Sequence, residues 1–231
     1  MKFLVFGIAL VIAGAAAFPD IEGYQSEGEV FADNFRRALE AIQRYIVNNN
    51  LDPLAVQRHD RHIARFPYLN IHLFIQGLNL KGLSNIVIHS LDYSNVFSRF
   101  RLDVELPEID FSLEDAGFSG AVVSRNVSAK FGGKLKISNI RLNGEAYVQP
   151  NLVGGPSNIT SVDAKFSLGG LTSDLVVEVL ENNHSEWLNN LLNVRIPNFL
   201  KNNENDINRV LSSVIRRIAQ FYLNNRPRPS F

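Results

Sequence analysis

Five histidines, one serine between glycines and a run of carboxylates are the residues of this chain that by type could catalyse a reaction or hold a metal. The histidines are His59, His62, His72, His89 and His184. His59 and His62 have a spacing that suits one helical face, but no Cys, Glu or third His nearby completes a ligand set. They sit in the polar run 57–65, which reads as a solvated connector. His72 and His89 fall on the polar phase of alternating runs and read as surface. Gly117-Phe118-Ser119-Gly120-Ala121 approaches the G-x-S-x-G nucleophile elbow, but Ala121 replaces the last glycine. An elbow also needs a strand-to-helix turn in a parallel sheet, and the alternation around it is of the antiparallel kind, so it reads as a turn. Glu105, Glu108 and Asp110 alternate with apolar neighbours, as on the wet face of a strand. The chain has no cysteine, which excludes thiol catalysis, zinc–thiolate sites and iron–sulfur clusters. No glycine-rich loop opens a helix, so nothing cradles a phosphate. The expectation is a protein that is not an enzyme, with no cofactor and no metal.

The elements around these residues are easier to read. Residues 26–48 form a helix. Ser26 and Glu29 have capping-box spacing, and Phe31, Phe35, Leu39, Ile42 and Ile46 step by four or three along one apolar stripe. Asn48-Asn49-Asn50 and Pro53 end it. Residues 51–67 read as a connector. From Leu69 to about Leu180 the period becomes two. Phe100, Leu102, Val104 and Leu106 alternate with polar residues, as do Ile109, Phe111 and Leu113, Leu135 and Ile137, and Ile140, Leu142, Ala146 and Val148. Such alternation marks strands with one buried and one wet face, in a mostly antiparallel sheet. Turn signals fall at Gly77, Gly82, Asp92, Pro107, Gly117, Gly132-Gly133, Gly154-Gly155-Pro156 and Gly169-Gly170. Internal glycines such as Gly120 and Gly144 point to a sheet that bends. Helix returns at 184–192, with a break expected at Ile196 before Pro197. It resumes at 204–223, where Ile207, Val210, Leu211, Val214, Ile215, Ile218 and Phe221 make the stripe. Segregated helices and strands of this kind are α+β.

The first 17 residues carry Lys2, an apolar run and Ala15-Ala16-Ala17, in the order of a secretory signal peptide. The apolar run is shorter than the roughly 20 residues of a spanning helix. The expected organisation is a signal peptide at 1–17, one domain at 18–223 and a loose tail at 224–231, in a secreted, extracellular protein. Asn126-Val127-Ser128, Asn158-Ile159-Thr160 and Asn183-His184-Ser185 are glycan acceptors at Asn126, Asn158 and Asn183. The 23 Lys and Arg balance 23 Asp and Glu, which leaves no basic footprint for nucleic acid. No later segment is long enough to cross a membrane as a helix, although transient membrane or protein contact is compatible with the sequence.

With 45% hydrophobic residues and 16 Phe, the greasy faces of two helices and a sheet dominate. Periodicity turns Phe35, Leu39 and Ile42 of the first helix inward, together with Val210, Val214 and Ile218 of the last. Leu102, Val104, Phe111, Ile137 and Leu142 come from the sheet. If these surfaces enclose a space, a hydrophobic small molecule or lipid is the partner. Burying each CH₂ contributes about 0.8 kcal/mol, so a chain of about 12 carbons gains roughly 9–10 kcal/mol gross, before the costs of association. The alternative is a filled core and a surface that recognises a protein, a glycan or a microbial lipid headgroup.

The arrangement resembles the tubular lipid-binding (TULIP) superfamily, in its arthropod branch of group-seven mite allergens and juvenile hormone-binding and takeout-like proteins. The matching features are the helix at 31–47 with Leu51-Asp52-Pro53-Leu54 after it, the run Gly77-Leu78-Asn79-Leu80-Lys81-Gly82-Leu83-Ser84-Asn85, the strand region 100–111, and 189–200 before the closing helix. The resemblance implies a long, highly curved antiparallel sheet wrapped around long N- and C-terminal amphipathic helices. It also implies an apolar tunnel between them and a carrier or sensor role without catalysis. Takeout-like and hormone-binding members carry an N-terminal disulfide. This chain has no cysteine, which places it nearer the allergen-like branch.

Overall fold

The computed structural model describes residues 27–65, 68–123, 125–149 and 157–225. The expected signal peptide at 1–17, the expected cap residue Ser26 and the last six residues of the expected tail lie outside them. The first element, α1, spans Glu27–Asn48. Phe35 and Leu39 of its stripe are buried, and Ile42 and Ile46 are half-buried. Its polar flank is used as well. The Arg36 guanidinium donates to the Leu91 carbonyl at 2.7 Å, and the Gln43 amide donates to the carbonyls of Ser84 (3.0 Å) and Ile86 (2.7 Å). The helix ends as the asparagines predict. Asn50 takes the left-handed conformation at φ 53°. The Leu51 and Asn50 N–H groups then reach back to the carbonyls of Ile46 and Val47, the paired bonds of a Schellman ending.

Among the described residues seven antiparallel strands follow: β1 (Leu54–Arg65), β2 (Leu69–Lys81), β3 (Val87–Ser94), β4 (Arg99–Val122), β5 (Arg125–Gln149), β6 (Asn158–Val179) and β7 (Asn182–Asn183). The order is β1-β2-β4-β5-β6-β7. β3 pairs with the first part of β4 (Arg99 to Glu105), and β2 pairs with its remainder (Asp110 to Val122). After β7 come α2 (Ser185–Asn190), a π-helical turn (Leu191–Arg195), α3 (Ile196–Asn202) and α4 (Glu204–Asn225).

The structure corrects four sequence expectations. The connector at 51–67 contains β1. As the edge strand it is polar on both faces (Arg58, His59, Asp60, Arg61 and His62 are all exposed), so it shows no alternation. The break expected before Pro197 is a π-helical turn instead. Pro197 sits in the first turn of α3, directly after the π-helical turn, and the chain stays helical through it, with Arg195 at φ −70°, ψ −43°. The last helix runs to Asn225, past the expected end at Leu223. Several turn signals lie inside strands: Gly77, Asp92, Pro107, Gly117, Gly132-Gly133 and Gly169-Gly170.

Pro107 and Gly169 show why glycine and proline mislead here. In the register, Leu106 faces Ile140 and Glu108 faces Ser138. In the next pair, Ile140 faces Leu168 and Ser138 faces Gly170. Pro107, Asn139 and Gly169 therefore share one row across three strands. Pro107 has no N–H to give the ladder. Asn139 is left-handed at φ 51°, and a Cβ on Gly169 would lie 2.7 Å from the Asn139 Cβ. The inward phase slips by one residue at this row in all three strands. It runs Leu102, Val104, Leu106 and then Ile109, Phe111, Leu113, with matching slips between Ile137 and Ile140 and between Leu168 and Leu171. A slip in one strand would turn its apolar residues to the wrong face. A slip in all three keeps one apolar face across a transverse crease.

Beside this crease, Asp52 ties the start of β1 to the β2–β3 turn. Its carboxylate accepts from the Gly82 N–H (2.8 Å), the Ser84 N–H (2.6 Å) and the Ser84 hydroxyl (2.5 Å). Partial burial works to raise its pKa, but the bonds from Ser84 and Gly82 outweigh it and hold the carboxyl below its ordinary value. A depressed folded-state pKa contributes stability above the unfolded value, and that stability is lost as pH falls through the folded one. Asp52→Ala is expected to lower the unfolding free energy by about 1–3 kcal/mol at neutral pH. Urea titrations at a series of pH values should show the gap to wild type closing below about pH 4. A gap that persists in strong acid would contradict the assignment.

Candidate functional site: an apolar sheet face

Residues directly opposite one another on paired strands share a face, so the register of β4, β5 and β6 lays out the wall in rows. Leu102, Gly144 and Ala164 form one. Then come Val104, Leu142 and Phe166; Leu106, Ile140 and Leu168; and, beyond the crease, Ile109, Ile137 and Leu171. Phe111 and Leu135 continue it with Leu80 of β2. All five sheet residues named from the sequence (Leu102, Val104, Phe111, Ile137 and Leu142) therefore lie on one face. Each is half-buried rather than enclosed.

The first rows meet the helices. Phe35, Ala38, Leu39 and Leu91 form a buried cluster, against which Ile88, Phe100, Leu102, Val104 and Ile218 pack. The rings of Phe35 and Phe100 meet edge-on at 6.5 Å, a favoured aromatic geometry. The structure thus brings five of the proposed residues together: Phe35 and Leu39 from α1, Leu102 and Val104 from β4, and Ile218 from α4. Ile42 and Val214 are half-buried on the same helices. Val210 departs from the expectation, being 47% exposed, while its neighbour Leu211 is buried.

The rotation that exposes Val210 has a cause that the apolar pattern does not show. β6 offers a long edge of unpaired backbone groups, and the C-terminal helices cover that edge with polar side chains spaced four apart. Ser185 Oγ accepts from the Val177 N–H at 2.8 Å. Asn189 accepts from the Leu175 N–H and donates to its carbonyl, both at 2.9 Å. Asn193 treats Ser173 in the same way. In α4, Asn208 accepts from the Phe166 N–H (3.0 Å) and Ser212 from the Ala164 N–H (2.9 Å). Arg216 donates to the Ile159 carbonyl (3.0 Å), and Gln220 accepts from the Ile159 N–H (2.7 Å). Four helical residues rise about 6 Å and two strand residues about 6.6–6.8 Å, so Ser185, Asn189 and Asn193, and then Asn208 and Ser212, each meet every second strand residue, while Arg216 and Gln220 both reach Ile159. These teeth turn the Asn208–Ser212 side of α4 onto the strand and swing Val210 and Phe221 outward. The ladder has no tooth between Leu168 and Leu171 among the described residues. Pro197 lies there, beside an open recess of about 330 Å³ lined by Phe166, Leu168, Pro197, Leu200 and Ile207 among others.

The residues considered for catalysis lie elsewhere. His59 and His62, three apart on a strand, face opposite sides of β1 and cannot chelate one ion. Among the described residues no group of three His, Cys, Asp or Glu could hold a metal. His62 contacts Asn70, and His72 contacts Asp60. Glu105 and Glu108 pair with His89 (2.6 Å) and Lys136 (2.7 Å). Arg141 makes a two-pronged bond to Asp103 and holds that carboxyl below its ordinary pKa. Gly117 to Ala121 lies flat within β4, paired on both sides. It is a strand segment, not the turn the sequence suggested. The candidate glycan sites Asn126, Asn158 and Asn183 are exposed on β5, β6 and β7.

Takeout 1 of Epiphyas postvittana is 14% identical, with 86% of this chain and 92% of that one covered and a TM-score of 0.40. A lipopolysaccharide binding protein is 13% identical, with 86% of this chain and 38% of that one covered and a TM-score of 0.24. The search for curated sequence relatives gave no match. A family model covers residues 4–229, almost the whole chain, and by it the chain belongs to the haemolymph juvenile hormone binding protein family.

Proposed function

We propose that the protein is a secreted carrier or sensor, not an enzyme, and that it holds a hydrophobic small molecule or lipid against the apolar face of its sheet, in a tunnel bounded by α1 and α4. The observation that carries this is the half-buried state of the rows from Val104–Leu142–Phe166 to Ile109–Ile137–Leu171. Interiors are normally close-packed, and here a wall of Val, Leu, Ile and Phe is not fully covered by the chain's own side chains. Membership of a family named for binding a hormone supports the same reading. The signal-like start of the chain supports export, and the exposure of Asn126, Asn158 and Asn183 supports their use as glycan sites.

Uptake of the neutral probe N-phenyl-1-naphthylamine, together with mass spectrometry of lipids that co-purify with the secreted protein, tests the reading. Leu142→Glu should lower probe affinity at least about tenfold, because a carboxylate on that wall must be desolvated without a partner. Val210→Glu, on the exposed flank of α4, should leave affinity within about twofold, since a surface change there touches no wall residue. A wild-type protein that takes up neither probe nor lipid would overturn the carrier reading.

A further inference from the structure

The polar teeth close the seam between β6 and the C-terminal helices on both sides of one gap. Ser185, Asn189 and Asn193 hold Val177, Leu175 and Ser173 on one side, and Asn208 and Ser212 hold Phe166 and Ala164 on the other. A step of two from Phe166 and from Ser173 turns the N–H groups of Leu168 and Leu171 to the same seam, and among the described residues no helix side chain meets them. The cover opposite this gap is the segment 197–207. It is broken at Asn203, which leaves helical geometry at φ −115°, ψ 20° and donates its amide to the Phe199 carbonyl of its own helix, not to the strand. The seam between α1 and β3 is latched instead, by Arg36 and Gln43. The gap is also where the wall reaches the outside. The recess of about 330 Å³ beside Pro197 is lined from the strand by Phe166 and Leu168, each a member of a wall row, and from the helices by Leu200 and Ile207. All four are half-buried.

We infer that this recess is the portal through which the hydrophobic ligand passes between solvent and the apolar wall, with the segment 197–207 yielding to admit it. This rests on the carrier reading and adds the route to it. A hydrophobe entering here stays on apolar surface, from Leu200 and Ile207 to Phe166 and Leu168 and then along the rows they belong to. The charged groups of the lining, Lys201 and Glu204, are both exposed and of opposite sign, so the mouth carries no net charge to repel an uncharged chain or hold an ionised one. Moving the segment breaks no side-chain bond to β6, whereas opening the cover on either flank breaks several. Local opening favours the part held by the fewest such bonds.

The experiment is stopped-flow binding and displacement of N-phenyl-1-naphthylamine, in wild type, in Leu200→Trp and Ile207→Trp, which fill the recess, and in Leu200→Ala, which widens it. A plug in a passage raises one barrier that is crossed in both directions, so it slows entry and exit by the same factor and leaves affinity alone. Both tryptophan variants should bind and release the probe at least about fivefold more slowly, with Kd held within about twofold, and Leu200→Ala should speed both steps by about twofold or more. Val210→Trp adds bulk on the exposed flank of α4 and should change neither rate. Because Leu200→Ala acts in the opposite sense, a plugged variant that fails to fold does not remove the test. Rates that stay at the wild-type value in the plugged and widened variants overturn the portal, as does a loss of affinity carried by faster release alone, which would make the recess part of the seat. Failure of wild type to take up the probe at all overturns the carrier reading itself, and the portal with it.

Discussion

Phe35→Ala is expected to lower the unfolding free energy by about 3–5 kcal/mol, the usual cost of deleting a buried aromatic side chain. Phe35 is 6% exposed and belongs to the cluster that joins three parts of the molecule: α1, the β3–β4 pair through Leu91 and Phe100, and α4 through Ile218. Its edge-on contact with Phe100 adds about 0.5–1.5 kcal/mol beyond area alone. Against a typical total of about 5–15 kcal/mol, one substitution removes a large fraction of the stability. Chemical denaturation gives the magnitude. Hydrogen exchange gives the location, with amides of α1 losing protection before those of β4 and β5. A loss below about 1 kcal/mol would show that this cluster is not what holds the helix to the sheet.

The double variant Asn189→Ala/Asn193→Ala is expected to cost about 2–5 kcal/mol and to make the protein self-associate. Each asparagine supplies both a donor and an acceptor to one strand residue, in place of a neighbouring strand. Removing both leaves the Leu175 and Ser173 backbone groups without partners, at about 1–3 kcal/mol for each unsatisfied site. An uncovered edge is also a template for another chain. Urea titration measures the first effect and sedimentation velocity the second. A variant of unchanged stability that remains monomeric would mean that water replaces the two amides at no cost, and that the ladder contributes nothing.

The two long helices and the alternating wall were legible because each is a local pattern. Phe35, Leu39 and Ile42 repeat at the helical period. Leu102, Val104, Phe111, Ile137 and Leu142 repeat at the strand period, and the register places all five on one face. β1 was not legible, because an edge strand wet on both sides has no alternation to read. Pro107 and Gly169 read as turns because proline and glycine usually interrupt strands. Only the alignment of Pro107, Asn139 and Gly169 in one row lets three strands run through. The apolar stripe alone predicts Val210 on the inward side of α4. The spacing of Asn208, Ser212, Arg216 and Gln220 was the available signal that polar contacts orient it instead.

By itself the sequence determined which residues are apolar, at what period they recur and where the long helices lie, because these follow from backbone geometry within a few turns of chain. Tertiary structure decided which strand became an edge and which helix face turned to cover it. Those outcomes depend on groups far apart in the chain arriving at one place, and hydrogen bonds to an edge strand form only after the sheet exists to present that edge.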